Sequence, residues 1–302
     1  MDSNDINWPS KTREMHNHHI DSTVWNEFEY REGDVVIASW PKSGSTWLQQ
    51  LVGQILHNGA AGLDLGMLSP WLDLRVPPAP VKLGGLREQT SRRFMKTHLP
   101  VDAFVYSNQA KYLYIGRDGR DVVWSLYNHH CRANETWYSM LNHTPGLQGP
   151  PMPRPASTVN EYFKSWLDED GYPLWPFWKS VRSWWEIRNL PNIYFTHFSR
   201  LKQDFLGEAK KIAAFLGEPV ESLNWDRISE HCTFHHMKQN AGDVAPLGGA
   251  LWEGGAKTFI HKGTNGRWRD ILSAEEVERY ESTARRELGD ACANWLASGE
   301  VE

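Results

Sequence analysis

The sequence is poor in cysteine and has no long apolar run. Its 302 residues contain three cysteines, Cys131, Cys232 and Cys292, which lie far apart along the chain. This spacing excludes a zinc cluster or a disulfide framework, and an odd count is typical of proteins in a reducing cytosol. No apolar run approaches the ~20 residues of a membrane-spanning helix, so no membrane partner is expected.

An excess of positive charge is also missing. The net charge is -5 at pH 7, which argues against a nucleic-acid partner but leaves room for a local basic pocket. The first residues have neither a basic region nor an apolar run, so we expect no secretory signal and a cytoplasmic location. The chain has no internal repeat, and candidate motifs on both sides of its long loops point to one site, so we interpret residues 1–302 as a single domain with a lead-in over about 1–30.

Strand-like apolar runs alternate with helical patterns along the chain. This alternation favours an α/β fold with a central parallel sheet flanked by helices. The predicted strands are 35–40, 93–97, 111–116 and 192–198. The predicted helices are 46–57, 121–130, 205–216 and 274–288, with Gly217 as a C-cap and Ser273 as an N-cap. Segments rich in proline or glycine predict loops at 69–85, 143–155 and 242–258, the last a candidate to order on ligand binding.

The first predicted strand leads into Pro-Lys-Ser-Gly-Ser-Thr-Trp at residues 41–47, and a helical pattern follows. Backbone N–H groups of such a loop converge on an anion, and Lys42 adds a full positive charge. Hydroxyl donors come from Ser43, Ser45 and Thr46. Because Lys42 precedes Gly44, the loop departs from the Walker A pattern and predicts a phosphate site without the magnesium-nucleotide arrangement. The alternative is an ordinary turn rich in small residues.

A second anion-binding candidate follows the third predicted strand. Arg117 comes directly after that strand, and Ser125 lies on the next predicted helix. Sites in open α/β sheets form beyond the carboxyl ends of the strands, so Arg117 is predicted at the same edge as Lys42. The planar fork of arginine suits phosphate oxygens, and Ser125 adds a hydroxyl donor. The alternative is an ion pair between Arg117 and Asp118 or Asp121.

Two further segments carry candidate site residues. His98 lies at the end of the second predicted strand, where its unperturbed pKa of ~6.5 suits it to take a proton from an acceptor hydroxyl. Nearby Lys96 is either a supporting cation or a surface residue. Near the C-terminus, His261, Lys262 and Gly263 belong to a glycine turn with cations on both sides, for which a basic surface turn is the alternative.

In the same order along the chain, these segments resemble those of the cytosolic sulfotransferase family, in its bacterial branch. Residues 41–47 resemble the family's 5′-phosphosulfate loop, and the Arg-x-x-x-Asp-x-x-x-Ser pattern of 117–125 resembles its 3′-phosphate segment. Lys-Thr-His-Leu-Pro at 96–100 resembles the run that holds the family's catalytic base. Residues 261–268 resemble its Arg-Lys-Gly-x-x-Gly-x-Trp segment, although His261 replaces the arginine and weakens the expected charge contact.

The resemblance implies a P-loop-NTPase-like sulfotransferase fold and the donor 3′-phosphoadenosine 5′-phosphosulfate (PAPS), with adenosine 3′,5′-bisphosphate (PAP) as product. The implied reaction transfers a sulfuryl group to a hydroxyl or amine of a small-molecule acceptor, without a metal. His98 is then the base, Lys42 stabilises the departing phosphate with Lys96 as a supporting cation, and Ser125 binds the 3′-phosphate and tunes Lys42. For the adenine and its surroundings, the resemblance implies Trp47, Phe198, Thr233 and Phe234, with core packing as the alternative for the aromatic residues.

The acceptor is the least defined part of this hypothesis. Its candidate lining lies in 69–75, 129–142 and 166–185, and the aromatic residues there favour an apolar or phenolic molecule, although many of the 16 tryptophans are expected in the core. The family's vertebrate dimerisation motif has no clean match near 269–278, which leaves a homodimer open. Two rival functions are a kinase with a variant phosphate loop and a non-catalytic PAP-binding protein.

Overall fold

A computed structural model describes residues 6–300 of the chain, and the first five residues of the predicted lead-in lie outside this range. Four strands form one parallel sheet: β1 (Val35–Ala38), β2 (Phe94–Thr97), β3 (Lys111–Gly116) and β4 (Ile193–His197). Their spatial order is β2-β1-β3-β4, so the order reverses between β1 and β3. The predicted α/β architecture with a central parallel sheet is confirmed.

Helices cover both faces of this sheet. The α-helices within residues 6–300 are α1 (Ser45–Leu56), α2 (Leu65–Leu68), α3 (Ala79–Glu88), α4 (Gly119–Arg132), α5 (Glu135–His143), α6 (Val159–Asp168), α7 (Phe177–Glu186), α8 (Phe198–Gln203), α9 (Phe205–Leu216), α10 (Trp225–His231), α11 (Phe234–Gln239), α12 (Ala241–Val244), α13 (Ala256–Phe259), α14 (Ala274–Leu288) and α15 (Asp290–Ser298). Short 3-10 helices occur at Ser22–Asn26, Val101–Ala103, Val220–Ser222 and Pro246–Gly249. In this described part of the chain, no helix combines the length and the apolar character that crossing a membrane requires.

Alternate strand residues belong to two separate cores. Val36 and Tyr112 pack into the core on one face, whereas Val35, Ile37 and Leu113 pack into the other. A strand buried on both faces has a continuous apolar sequence, which is why the runs at β1 and β3 were readable. The lead-in also contributes to the first core, since its Ile20 and Trp25 are fully buried.

The four strands and four helices predicted from the sequence lie within two residues of their observed bounds, whereas the other helices were not predicted. The strand 111–116 and the helices 205–216 and 274–288 are confirmed; Gly217 adopts the left-handed C-cap conformation, and the Ser273 side chain caps α14. The loop predicted at 69–85 is wrong in its second half, which forms α3. Its helix start tolerates Pro78 and Pro80 because first-turn N–H groups have no helical partner.

The glycine-rich segment 242–258 was also predicted as a loop. It instead forms short helical turns, including Pro246–Gly249 and the start of α13. Positive φ angles at Gly248 and Gly249 let this chain turn tightly between those elements. The segment is therefore structured, and it closes one side of the cavity described next.

Candidate active site

A cavity of about 660 Å³ lies at the carboxyl edge of the sheet, a volume typical of small-molecule sites. Each strand is followed by a residue that lines it. His98, Arg117 and Phe198 come directly after β2, β3 and β4, and Lys42 lies in the loop after β1. Because the strands are parallel, these four side chains meet at one edge although they are distant in the sequence.

The loop between β1 and α1 is compact and depends on glycine. Gly44 has φ +112°, and a Cβ there would lie 2.8 Å from the Phe198 ring, so only glycine fits. Helix α1 begins without a side-chain cap, and the N–H groups of Ser45, Thr46 and Trp47 have no hydrogen-bond partner among residues 6–300. These residues line the cavity, which makes the start of α1 a suitable anion cradle.

Ser43 is the least accessible hydroxyl residue of the loop, and its predicted role as a donor stays a prediction. Its N–H donates to the carbonyl oxygen of Trp40 at 3.3 Å within the turn. The other two hydroxyl residues of the loop, Ser45 and Thr46, do line the cavity.

The ammonium of Lys42 lies in a strongly electropositive part of the cavity. Its Nζ is 3.3 Å from His129 Nδ1 and 5.1 Å from the centre of the Phe259 ring. Burial, together with the nearby charges of Lys96 and Arg117, lowers the pKa of Lys42 to about 7. Among the described cavity residues, Asp121 is the only acidic one, so an incoming anion would relieve this repulsion.

Arg117 connects the loop to the C-terminal glycine turn. Its guanidinium donates to the Lys42 carbonyl at 3.2 Å, the Thr264 carbonyl at 3.0 Å and Asn265 Oδ1 at 3.1 Å. The surface ion pair considered for Arg117 is not found among residues 6–300, and Asp118 pairs with Arg120 instead. Since a guanidinium has five N–H donors, two remain for a ligand.

The imidazole of His98 is held in a defined tautomer. Its Nδ1 lies 2.6 Å from the carbonyl oxygen of Ser39, and because a carbonyl only accepts hydrogen bonds, Nδ1 must carry the proton. Burial and the charges of Lys96 and Lys42 lower the pKa of His98 well below 6.5, so the ring is neutral at pH 7. Its Nε2 then holds a lone pair and has no hydrogen-bond partner among the described residues. Lys96 also lines the cavity, 5.5 Å from the Trp71 ring, so its surface alternative is wrong.

The second half of the cavity is formed by the segments predicted for the 3′-phosphate. Ser125 on α4 lines it together with His261, Lys262 and Gly263. Burial and the charge of Arg267 lower the pKa of His261, which leaves this histidine neutral at pH 7. The guanidinium of Arg267 also lines the cavity, with its Nη1 3.4 Å from His261 Nδ1, so a cation is present where the sequence motif lacked one.

The residues predicted around the adenine lie at the same end of the cavity. Trp47 donates its indole N–H to the Cys232 carbonyl at 2.8 Å, and Phe234 is 43% exposed. Phe198 is buried beneath Gly44, so it supports the loop. The Thr233 hydroxyl donates to the Glu230 carbonyl and accepts from the His236 N–H, and it therefore has only one lone pair left for a ligand.

The opposite end of the cavity is predominantly aromatic. From the three predicted acceptor segments, the residues that line it are Trp71, Leu74, His129, His130, Trp137, Met140, Leu141, Leu174 and Trp175. Trp166, Trp178 and Trp184 from those segments lie in the core instead. The sequence reasoning missed His19, Trp252, Phe259 and Arg267, which line the cavity. Arg267 lies within the glycine-turn segment 261–268, whereas no local pattern marks the other three residues, which tertiary contacts bring to the site.

Comparison with known proteins agrees with this geometry. Residues 32–291 match the family model described as a sulfotransferase domain. The chain belongs to the sulfotransferase family. This confirms the class expected from the sequence, a PAPS-dependent sulfotransferase that transfers a sulfuryl group to a small-molecule acceptor.

Curated sulfotransferases resemble this one along most of their length. It is 30% identical to sulfotransferase 1B1 of Mus musculus over 274 residues, which covers 87% of this chain and 85% of the mouse protein. It is 27% identical to a glycolipid sulfotransferase of Mycobacterium bovis, with 86% of each chain covered.

Solved structures show the same fold. The mouse sulfotransferase SULT7A1 complexed with PAP superposes with a TM-score of 0.70 at 22% identity, covering 91% of this sulfotransferase and 93% of the mouse chain. Retinol dehydratase in a complex with retinol and PAP superposes with a TM-score of 0.67 at 26% identity, covering 89% and 84%. The predicted sulfotransferase fold is thereby confirmed.

Proposed function

We propose that this sulfotransferase transfers the sulfuryl group of PAPS to a hydroxyl of a small apolar or phenolic acceptor, with an amine as the alternative nucleophile. His98 is the base and Lys42 stabilises the departing phosphate. The observation that carries this proposal is the meeting of a neutral imidazole with an available Nε2 and a half-buried ammonium at one end of the same cavity.

The residues present fit the donor. The N–H groups at the start of α1 would hold the 5′-phosphate, in a loop whose conformation requires glycine at position 44. The two spare donors of Arg117, the Ser125 hydroxyl, Lys262 and Arg267 would hold the 3′-phosphate. Trp47 and the exposed Phe234 would hold the adenine, since a base stacked on an aromatic ring is worth ~1–3 kcal/mol.

When bound, PAPS supplies the sulfuryl group that the acceptor oxygen attacks. His98 Nε2 takes the proton from that hydroxyl, while Nδ1–H keeps the ring oriented by its bond to the Ser39 carbonyl. The Lys42 ammonium, held by the loop after β1, stabilises or protonates the oxygen at which negative charge develops. A preorganised donor of this kind is worth ~3–4 kcal/mol.

The aromatic end of the cavity supports an apolar or phenolic acceptor. Trp71, Trp137 and Trp175 line it, and the retinol named in the retinol dehydratase structure is likewise an apolar alcohol. A cytoplasmic location remains a prediction from the sequence, and the oligomeric state stays open.

The test is a screen of phenols, alcohols, steroids and amines with labelled PAPS, with ATP as a control donor. We expect a sulfated product from at least one acceptor class and no transfer from ATP. Titration of the purified protein with PAP should show saturable binding. A protein without measurable affinity for PAP would contradict the proposal at its first step.

A further inference from the structure

A pair of histidines from the N-terminal lead-in reaches the aromatic end of the cavity. His18 and His19 are both buried, and His19 lines the cavity near His98. His18 Nδ1 lies 2.6 Å from His19 Nδ1, and His18 Nε2 lies 2.9 Å from the carbonyl oxygen of Pro173. Nothing in the proposed function uses either residue.

The Pro173 carbonyl fixes the protons of both rings. A carbonyl only accepts, so His18 Nε2 carries the proton of that ring and donates it. Burial lowers the pKa of both histidines, so each neutral ring has one proton. His18 Nδ1 is then bare and accepts a hydrogen bond from His19 Nδ1–H. The lone pair of His19 is left on Nε2, which has no hydrogen-bond partner among residues 6–300.

His19 and His98 therefore both carry the ring proton on Nδ1 and leave Nε2 without a hydrogen-bond partner. In His98, Nδ1–H donates directly to a backbone carbonyl. In His19, it donates to His18, whose other nitrogen donates to a backbone carbonyl. The two imidazoles pack against the same indole, that of Trp71. The His19 ring centre is 6.0 Å from that of Trp71, in a stacked geometry, and the His98 ring centre is 4.6 Å from it, edge-on. Trp137 lies 5.5 Å from the His19 ring.

We propose that His19 Nε2 is a second polar anchor of the acceptor pocket, and that the preferred acceptor is a compact aromatic molecule with two hydroxyl groups. One hydroxyl would bond to His98 and the other to His19, with the aromatic body against Trp71. A molecule with a single hydroxyl leaves one buried nitrogen without a partner, and sites of this kind discriminate against ligands that lack the second donor. This inference rests on the proposed function, and it makes His19 a specificity-determining residue.

The charges of the cavity favour a neutral donor group over an ammonium at His19. Lys42 and Lys96 lie near His98, and Arg75 lies near His19. The one acidic residue among the described cavity residues, Asp121, already accepts a hydrogen bond from the Gly266 N–H at 2.8 Å. An ammonium group on the acceptor would therefore be repelled by these cations, and no free carboxylate among the described cavity residues would compensate.

The experiment compares naphthol with a series of dihydroxynaphthalenes of different hydroxyl spacing, using the full chain and PAPS. We expect the wild type to have a kcat/KM about tenfold higher for at least one diol than for naphthol, mainly through KM. In His19→Phe this ratio should fall to about 1, and His19→Gln, which retains an acceptor oxygen, should restore part of it. His16→Phe is the matched control, because His16 belongs to the same segment but does not line the cavity.

Two measurements that do not depend on turnover complete the test. Binding of the best diol to PAP-loaded protein should weaken about tenfold in His19→Phe, while PAP affinity stays within about twofold. Nitrogen NMR of labelled histidine should show His19 in the Nδ1–H tautomer. Sulfation of diol and naphthol with equal efficiency by the wild type, or a diol preference that survives in His19→Phe, would overturn this inference alone. Absence of PAP binding and of any sulfation would instead overturn the proposed function.

Discussion

The backbone of Ser39 orients the side chain of His98. The Ser39 carbonyl oxygen lies 2.6 Å from His98 Nδ1, and the Ser39 hydroxyl lies 3.2 Å from the same atom. Ser39 fixes the tautomer of His98 mainly through its main-chain carbonyl. The orientation of the His98 ring therefore depends on the backbone path after β1 more than on the side chain at position 39.

This relationship leads to a prediction about the base. His98→Ala should reduce turnover at saturating PAPS by about 10²–10⁴-fold, because proton removal from the acceptor loses its base. PAP affinity, measured by calorimetry, should stay within about twofold, since His98 is not among the groups proposed to hold the phosphates. Ser39→Ala is the control and should cost far less, because the carbonyl remains. Turnover by His98→Ala at the wild-type rate would show that another group is the base.

The lowered pKa of Lys42 predicts pH-dependent donor binding. With a pKa of about 7 in the free protein, Lys42 is charged below pH 7 and loses its charge above it. We therefore expect PAP affinity to fall by up to about tenfold between pH 6 and pH 8. In Lys42→Arg the guanidinium stays charged, so this variant should show only the titration of PAP itself. Parallel pH profiles of the two proteins would contradict the assignment.

Arg267 is predicted to replace the charge that His261 does not carry. Arg267→Ala should weaken PAP binding by about tenfold or more at low salt and should reduce the salt dependence of the affinity. His261→Ala should change it by less than about threefold, because the histidine is neutral. Arg269→Ala is the matched control: Arg269 is exposed, does not line the cavity and packs on Trp268. An equal effect of Arg267→Ala and Arg269→Ala would mean that only general charge matters.

Gly44 is predicted to be required for both the loop and donor binding. A Cβ at Gly44 would lie 2.8 Å from the Phe198 ring at a φ of +112°, so Gly44→Ala should lower the free energy of unfolding by about 1–3 kcal/mol and abolish PAP binding. Gly217→Ala is the control, since φ is +83° there but nothing lies within 4 Å of the added Cβ. It should cost about 1 kcal/mol and leave PAP affinity unchanged. Denaturant unfolding and calorimetry measure both effects.

Many elements of the fold could be predicted from the sequence because the local sequence preferences for strands and helix caps agree with the burial that the fold imposes. The fully buried strands give continuous apolar runs, and the cap residues Ser273 and Gly217 mark helix ends through local geometry. Errors fell where local composition was ambiguous. The second half of the proline-rich segment 69–85 forms helix α3, and the glycine-rich segment 242–258 forms short turns that contribute Trp252 to the cavity.

The sequence by itself determined the residues that end the four strands, because a parallel sheet brings the carboxyl ends of its strands to one edge. Lys42, His98 and Arg117 were therefore identifiable from short segments. Only the tertiary structure decided which nitrogen of His98 has no hydrogen-bond partner. It also placed His19 against Trp71. These relationships join residues distant along the chain. A hydrogen bond to a main-chain carbonyl fixes the tautomer of His98, and such a bond made by His18 fixes that of His19, and side-chain identities do not reveal either bond.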